Sequence, residues 1–113
     1  ATQDPYSFGT SPALAIQQLL QKHPEYTLDS IDLFEINEAF SVVTLANLKL
    51  LGISHDCCNV FGGAVALGHP LGASGARIVC TLINALQSTN KNVGIAAVCH
   101  GGGGASAILI ELQ

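Results

Sequence analysis

Two apolar runs near the C-terminus, Val93–Cys99 (VGIAAVC) and Ala105–Leu112 (ASAILIEL), are separated only by His100 and the glycines Gly101–Gly104. Both runs have the composition of strands. A link that short cannot hold the crossover that parallel strands need, so it favours an antiparallel pair. Upstream, helical and strand patterns alternate. Ser11-Pro12 reads as an N-cap followed by proline at the first helical position. Leu14, Ile16, Leu19 and Leu20 then mark the apolar face of a helix ending near His23-Pro24. The run IDLFEI, from Ile31 to Ile36, predicts a short strand that stops at Asn37. A second helix is predicted over Glu38–Leu51, with Phe40, Val43, Leu45, Leu48 and Leu51 at helical spacing and Gly52 as its stop. Ile53–Val60 predicts a short connecting strand, and a third helix spans Ser74–Ser88 with Ile78, Leu82, Ile83 and Leu86 inward. This order describes a layered α/β domain.

At 113 residues the chain is one domain's worth. Hydrophobic residues make up 49% and charged residues 11%, so much of the surface is expected to be covered by another domain or subunit. A net charge of −4 with four basic residues (Lys22, Lys49, Arg77, Lys91) argues against nucleic acid or anionic membrane as partners. No apolar run approaches the ~18 residues of a membrane span. Nothing at Ala1 reads as a signal or transit peptide, and the C-terminal Glu111-Leu112-Gln113 is no address tag. The absence of any methionine suggests a piece of a longer protein. The four cysteines form neither a CxxC pair nor a disulfide framework, which suits a reducing compartment.

Three places could carry chemistry. The segment Phe61–Arg77, FGGAVALGHPLGASGAR, holds five glycines around His69-Pro70. Small residues let backbone approach backbone or ligand closely, and Pro70 stiffens the loop. His69 therefore reads either as a presented base or hydrogen-bond donor, or as a structural histidine in a tight turn. Asn37 stands where a strand meets a helix, a common place for a working polar group, and equally reads as an N-cap of the helix that follows. Cys99 ends an apolar strand just before a glycine run. It is either a buried small hydrophobe or an acid/base thiol beside exposed N–H groups able to hold an oxyanion. Cys57, Cys58 and Cys80 read as structural. The glycine stretches lack a GxGxxG order and the lysine of a phosphate loop, and no His/Cys spacing fits a usual zinc site.

Three segments together resemble the C-terminal half of a thiolase: Asn37–Phe40 (NEAF), Gly62–Gly75 (GGAVALGHPLGASG) and Cys99–Gly103 (CHGGG). They stand in the family's order at about its spacing, over nearly the whole chain. GASGAR after His69-Pro70, and the closing CxGGGGASA, are similar to the biosynthetic, acetoacetyl-CoA type. The run EINEAFSVVTLANLKLL is most similar to mitochondrial members, with a cytoplasmic member as the alternative.

The resemblance implies a thiolase-like layered α/β domain with a mixed sheet and helices on both faces. It implies part of an acyltransferase that condenses two acetyl-CoA to acetoacetyl-CoA and CoA, or runs the reverse. The alternatives are a degradative 3-ketoacyl-CoA thiolase and a non-catalytic acyl-CoA-binding or assembly domain. By the resemblance, His69 activates a nucleophilic cysteine and polarises the thioester oxygen, Asn37 holds a water completing that oxyanion hole, and Cys99 exchanges a proton with the α-carbon of acetyl-CoA. Gly101 would offer its N–H to a second oxyanion hole, Phe40 would line the pantetheine channel, and the Val65 carbonyl would bind potassium. No further cofactor is implied, coenzyme A thioesters are the substrates, and the family forms homo-oligomers (dimers or tetramers). His100 departs from the family's usual isoleucine or asparagine. None of the four cysteines matches the family's nucleophile, so the resemblance places it in an N-terminal half outside these residues.

Overall fold

The computed structural model describes all 113 residues. The expected hairpin is its centre. Strand β2 (Val93–His100) pairs antiparallel with β3 (Gly104–Glu111), in a register running from Val93 opposite Glu111 to His100 opposite Gly104. Strand β1 (Leu33–Ile36) pairs parallel with the other edge of β2, giving a mixed three-stranded sheet of order β1-β2-β3. Each strand runs one residue further into the glycine link than the apolar pattern shows. The turn is therefore Gly101–Gly103, closed by the Gly103 N–H donating to the His100 carbonyl at 3.1 Å. Gly103 has a φ of +87°, and a side chain there would start 2.2 Å from the Gln3 carbonyl oxygen, so only glycine fits.

Alternation along the strands sends neighbouring side chains to opposite faces, and both faces are covered. Phe34, Ile36, Ile95 and Ala97 meet helices α1 (Ser11–Lys22) and α2 (Ser41–Leu51) through Ala13, Ile16, Leu48 and Leu51. Leu33 and Ala96 face the opposite way, onto Ile78, Leu82, Ala85 and Leu86 of a long helix (Ser74–Ser88). A single turn, α3 (Ala64–Leu67), precedes it, so the long helix is α4. Helices on both faces of a mixed sheet are what the family resemblance implies, and the structure agrees.

Several local expectations are corrected. Helix α1 starts one residue early, with Thr10 at the cap position. The Ser11 hydroxyl instead donates to the Gly103 carbonyl at 2.9 Å, tying the helix to the hairpin. Residues Ala1–Thr10 add a β-bridge from Thr2 to Gly104 and a 3-10 turn over Pro5–Thr10. Helix α2 begins at Ser41 rather than Glu38, and its buried face is Val43, Thr44, Asn47, Leu48 and Leu51. Leu45 points outward because Thr44 and Asn47 take places on the buried face, and Phe40 is exposed because it stands before the helix with extended dihedrals. Asn47 belongs inside for a clear reason. It accepts from the Ala13 N–H at 2.7 Å and donates to the Gly9 and Val43 carbonyls at 2.7 Å each, satisfying a free N–H of the first turn of α1. The strand expected over Ile53–Val60 shrinks to a 3-10 turn (His55–Cys57) and one parallel bridge, Cys58 to Phe34. Beside that bridge the Asn59 side chain takes both backbone groups of Ile36, at 2.9 and 2.8 Å, so a side chain does the pairing of a strand there.

Candidate active site

Asn37, His69 and Cys99 come from three separate segments. Asn37 prolongs β1, its N–H donating to the Ala97 carbonyl at 2.9 Å. It is fully buried and caps no helix, so the N-cap alternative is wrong. The chain is committed elsewhere at this point. Glu38 leaves the strand to accept from the Val65 N–H at 2.8 Å and from Asn59 at 3.2 Å, which delays the helix to Ser41. These bonds also fix the Gly62–Leu67 turn that leads to His69.

His69 sits half-buried at the mouth of α4, with Nδ1 2.5 Å from the Ser74 hydroxyl. The Asn37 amide nitrogen lies 3.3 Å from its Nδ1 and 3.4 Å from its Nε2. An in-plane donor aimed at one ring nitrogen would be much farther from the other, so the amide lies over the ring face. The opposite end of that amide, Oδ1, accepts from Arg77 at 3.1 Å, and Arg77 also pairs with the buried Glu35 carboxylate at 2.9 Å. Burial pushes Glu35 up to about 7 against the pull of Arg77.

Cys99 and His69 line one cleft of about 530 Å³, with Phe8, Phe40, Leu71, Val98, His100 and Gly101 among its walls. Cys99 is buried and burial raises its thiol pKa, so the resting group is a protonated thiol. The Gly101 N–H has no acceptor within the chain. The neighbouring donors are occupied, with Gly102 N–H on His100 Nδ1 at 3.3 Å and Gly103 N–H on the His100 carbonyl. His100 thus braces the turn and leaves one N–H free beside Cys99. Phe40 is largely exposed, edge-on to Phe8 with ring centroids 6.3 Å apart, and forms the wall between this cleft and an apolar hollow of about 360 Å³. Val65 lies on the exposed α3 turn, and its carbonyl accepts no hydrogen bond within the chain. No group of three or more His, Cys, Asp or Glu side chains is placed to hold a metal ion.

Of the remaining cysteines, Cys58 is buried in the core with its thiol pushed up to about 12 by burial, which makes it inert as a nucleophile. Sequence reading missed Glu35, Ser74 and Arg77. The available signal was spacing: Glu35 and Asn37 share one side of β1, and Ser74 and Arg77 stand three apart on a helix.

A layered mixed sheet bringing an NEAF asparagine, a His-Pro histidine and a cysteine before a glycine turn to one region defines a thiolase-type domain. The family described as the thiolase C-terminal domain matches residues 1–112, and the chain belongs to it. It is 55% identical over 111 residues to the acetyl-CoA acetyltransferase of Schizosaccharomyces pombe, covering 98% of this chain and 28% of that protein. It is 51% identical over 111 residues to the Gibberella zeae protein named acetyl-CoA acetyltransferase ERG10, cytosolic, again covering 98% of this chain and 28% of the relative. The fold superposes with a TM-score of 0.93 and 55% identity on a crystal structure of the Acat5 thiolase from Ascaris suum in complex with coenzyme A, covering 100% of this chain and 29% of that one. The chain thus spans less than a third of the length of these relatives.

Proposed function

We propose that these residues form the C-terminal part of an acetyl-CoA C-acetyltransferase that joins two acetyl-CoA into acetoacetyl-CoA and CoA, and catalyses the reverse thiolysis. The observation that carries the reading is the single cleft holding His69, Cys99 and the free Gly101 N–H. Condensation needs a base at the α-carbon of a thioester and a donor on the enolate oxygen. Cys99 first gives its resting proton to the CoA thiolate released as an acetyl group passes to a cysteine. The thiolate left then takes the α-proton of the second acetyl-CoA, Gly101 holds the enolate oxygen, and the enolate carbon attacks the acetyl-cysteine. The new C–C bond forms as the C–S bond breaks and the nucleophile leaves as thiolate. In thiolysis Cys99, stored as a thiol, is the acid. His69 polarises the acyl-cysteine oxygen with a water held by Asn37, Phe40 lines the pantetheine arm, and the Val65 carbonyl would be one ligand to a potassium ion.

The nucleophile and most of the CoA nucleotide contacts lie in an N-terminal half of the whole protein, which assembles as a homo-oligomer. A mitochondrial location rests on the resemblance of Glu35–Leu51, while the name of the Gibberella relative supports the cytoplasmic alternative. Ketone-body metabolism goes with the mitochondrial reading. Imaging of the tagged whole protein distinguishes the two compartments.

The deciding experiment is thiolysis of acetoacetyl-CoA by the whole protein. Turnover is expected, with Cys99→Ser lowering kcat by roughly 10²–10⁴-fold, the worth of a positioned acid/base. The isolated 113 residues are expected to show none. Faster turnover of longer 3-ketoacyl-CoA substrates would favour the degradative reading. CoA-ester binding without turnover would leave a binding or assembly domain.

A further inference from the structure

The first turn of α4 presents two polar side chains to the candidate site. Ser74 and Arg77 are three residues apart and share a helix face. Each grips one member of the His69–Asn37 pair.

Ser74 is buried, and its hydroxyl has one proton to donate. Two acceptors compete for it, the Pro70 carbonyl at 3.1 Å and His69 Nδ1 at 2.5 Å. The Pro70 oxygen already accepts the N–H groups of Ala73 at 2.8 Å and Ser74 at 2.9 Å, which use both of its lone pairs. The proton therefore goes to Nδ1. A neutral imidazole has one N–H, so His69 carries its proton on Nε2.

Arg77 settles the second side chain by elimination. A guanidinium only donates, so the Asn37 atom facing it must be the carbonyl oxygen, and the amide NH₂ is turned onto the His69 ring. Glu35 holds the other arm of Arg77 at 2.9 Å. Arg77 Nε is buried with no partner. A buried ion pair is weak evidence for stability by itself, and an orphaned donor is a cost. The arrangement makes sense if the guanidinium is placed for Asn37.

We propose that Ser74 and Arg77, the latter anchored by Glu35, are positioning residues that set the tautomer of His69 and the amide orientation of Asn37. The mechanistic meaning rests on the thiolase reading: His69 then meets a thioester oxygen as an Nε2–H donor.

The test uses the whole protein and two independent readouts. Nitrogen-15 NMR of labelled histidine, with His69 assigned by its loss in His69→Gln, reads the tautomer without reference to activity. Wild type is expected to hold the Nε2–H form, and Ser74→Ala a mixture. In thiolysis, Ser74→Ala and Arg77→Lys are each expected to lower kcat at least tenfold, with KM for acetoacetyl-CoA within about threefold of wild type. Ser74→Thr, which keeps the hydroxyl, should recover to within threefold. If Arg77→Lys does not fold, Glu35→Gln removes the anchor while keeping Arg77, and the same drop is expected. A wild-type ring protonated on Nδ1, or variants that fold and keep kcat within twofold, would overturn the proposal. A wild-type protein without turnover would sink the thiolase reading, and the tautomer measurement would then decide this inference alone.

Discussion

At the scale of single residues, the centre of this domain is a row of polar side chains held where water is excluded. Glu35 is 1% exposed, yet it is a carboxylate facing Arg77 from α4, with Glu38 and Cys58 as its other titratable neighbours. Its pKa rises from an ordinary 4.5 to about 7, chiefly by burial, with Arg77 opposing and Glu38 adding slightly to the rise. The folded protein therefore holds this proton more tightly than the unfolded chain does. Stability from this group is full below about pH 4.5 and is lost as pH rises through about 7. At about 1.4 kcal/mol per pKa unit the loss is on the order of 3 kcal/mol. Glu35→Gln is expected to flatten this part of the pH–stability curve, measured by denaturant unfolding of the whole protein between pH 4.5 and 8. An unchanged slope would show that the Arg77 pair keeps Glu35 ionised throughout. Nothing in IDLFEI announces such a carboxylate. Its alternation with Leu33 and Asn37 reads as an ordinary strand, and the partner that makes burial tolerable lies 42 residues away.

At the scale of elements, the hairpin and the N-terminal segment hold each other. The Gly103 carbonyl accepts from the Gln3 N–H at 2.9 Å and from the Ser11 hydroxyl at 2.9 Å, so the turn that follows Cys99 and His100 is clamped from outside the sheet. Gly103→Ala forces a side chain against Gln3 at a φ of +87°. It is expected to cost about 2–3 kcal/mol, visible as a lowered melting temperature, and to loosen the Gly101 N–H beside Cys99. A melting temperature within a degree of wild type would mean the clamp yields freely. The hairpin itself was legible from sequence because a short glycine link leaves the strands no other pairing. The limits of α2 were not. Propensity extends the helix back to Glu38, whereas the Glu38 carboxylate is bound to Val65 and Asn59 across the fold.

At the scale of the molecule, the residues ringing the candidate site stay open to solvent. Phe40, Phe61, Val65, Leu67 and Leu71 are all more than half exposed, an apolar concentration that soluble proteins rarely leave uncovered. The chain spans less than a third of its relatives' length, and on the function proposed above the cover is the remainder of a longer protein. The isolated 113 residues are expected to bind a hydrophobic dye such as ANS and to self-associate at micromolar concentration, whereas the whole protein does neither. A monomeric, dye-silent fragment would show that the patch is tolerated bare. The sequence by itself determined the α/β class, the antiparallel hairpin, the long helix α4 and the three motifs that mark the family, because each is written in neighbouring residues by periodicity, turn chemistry or pattern. Only the tertiary structure decided that Asn37 caps nothing, that Asn47 belongs inside, and that Glu35, Ser74 and Arg77 hold His69 and Asn37. Those facts depend on which distant donors and acceptors burial brings within 3 Å or so of one another, and local pattern carries no record of that distance.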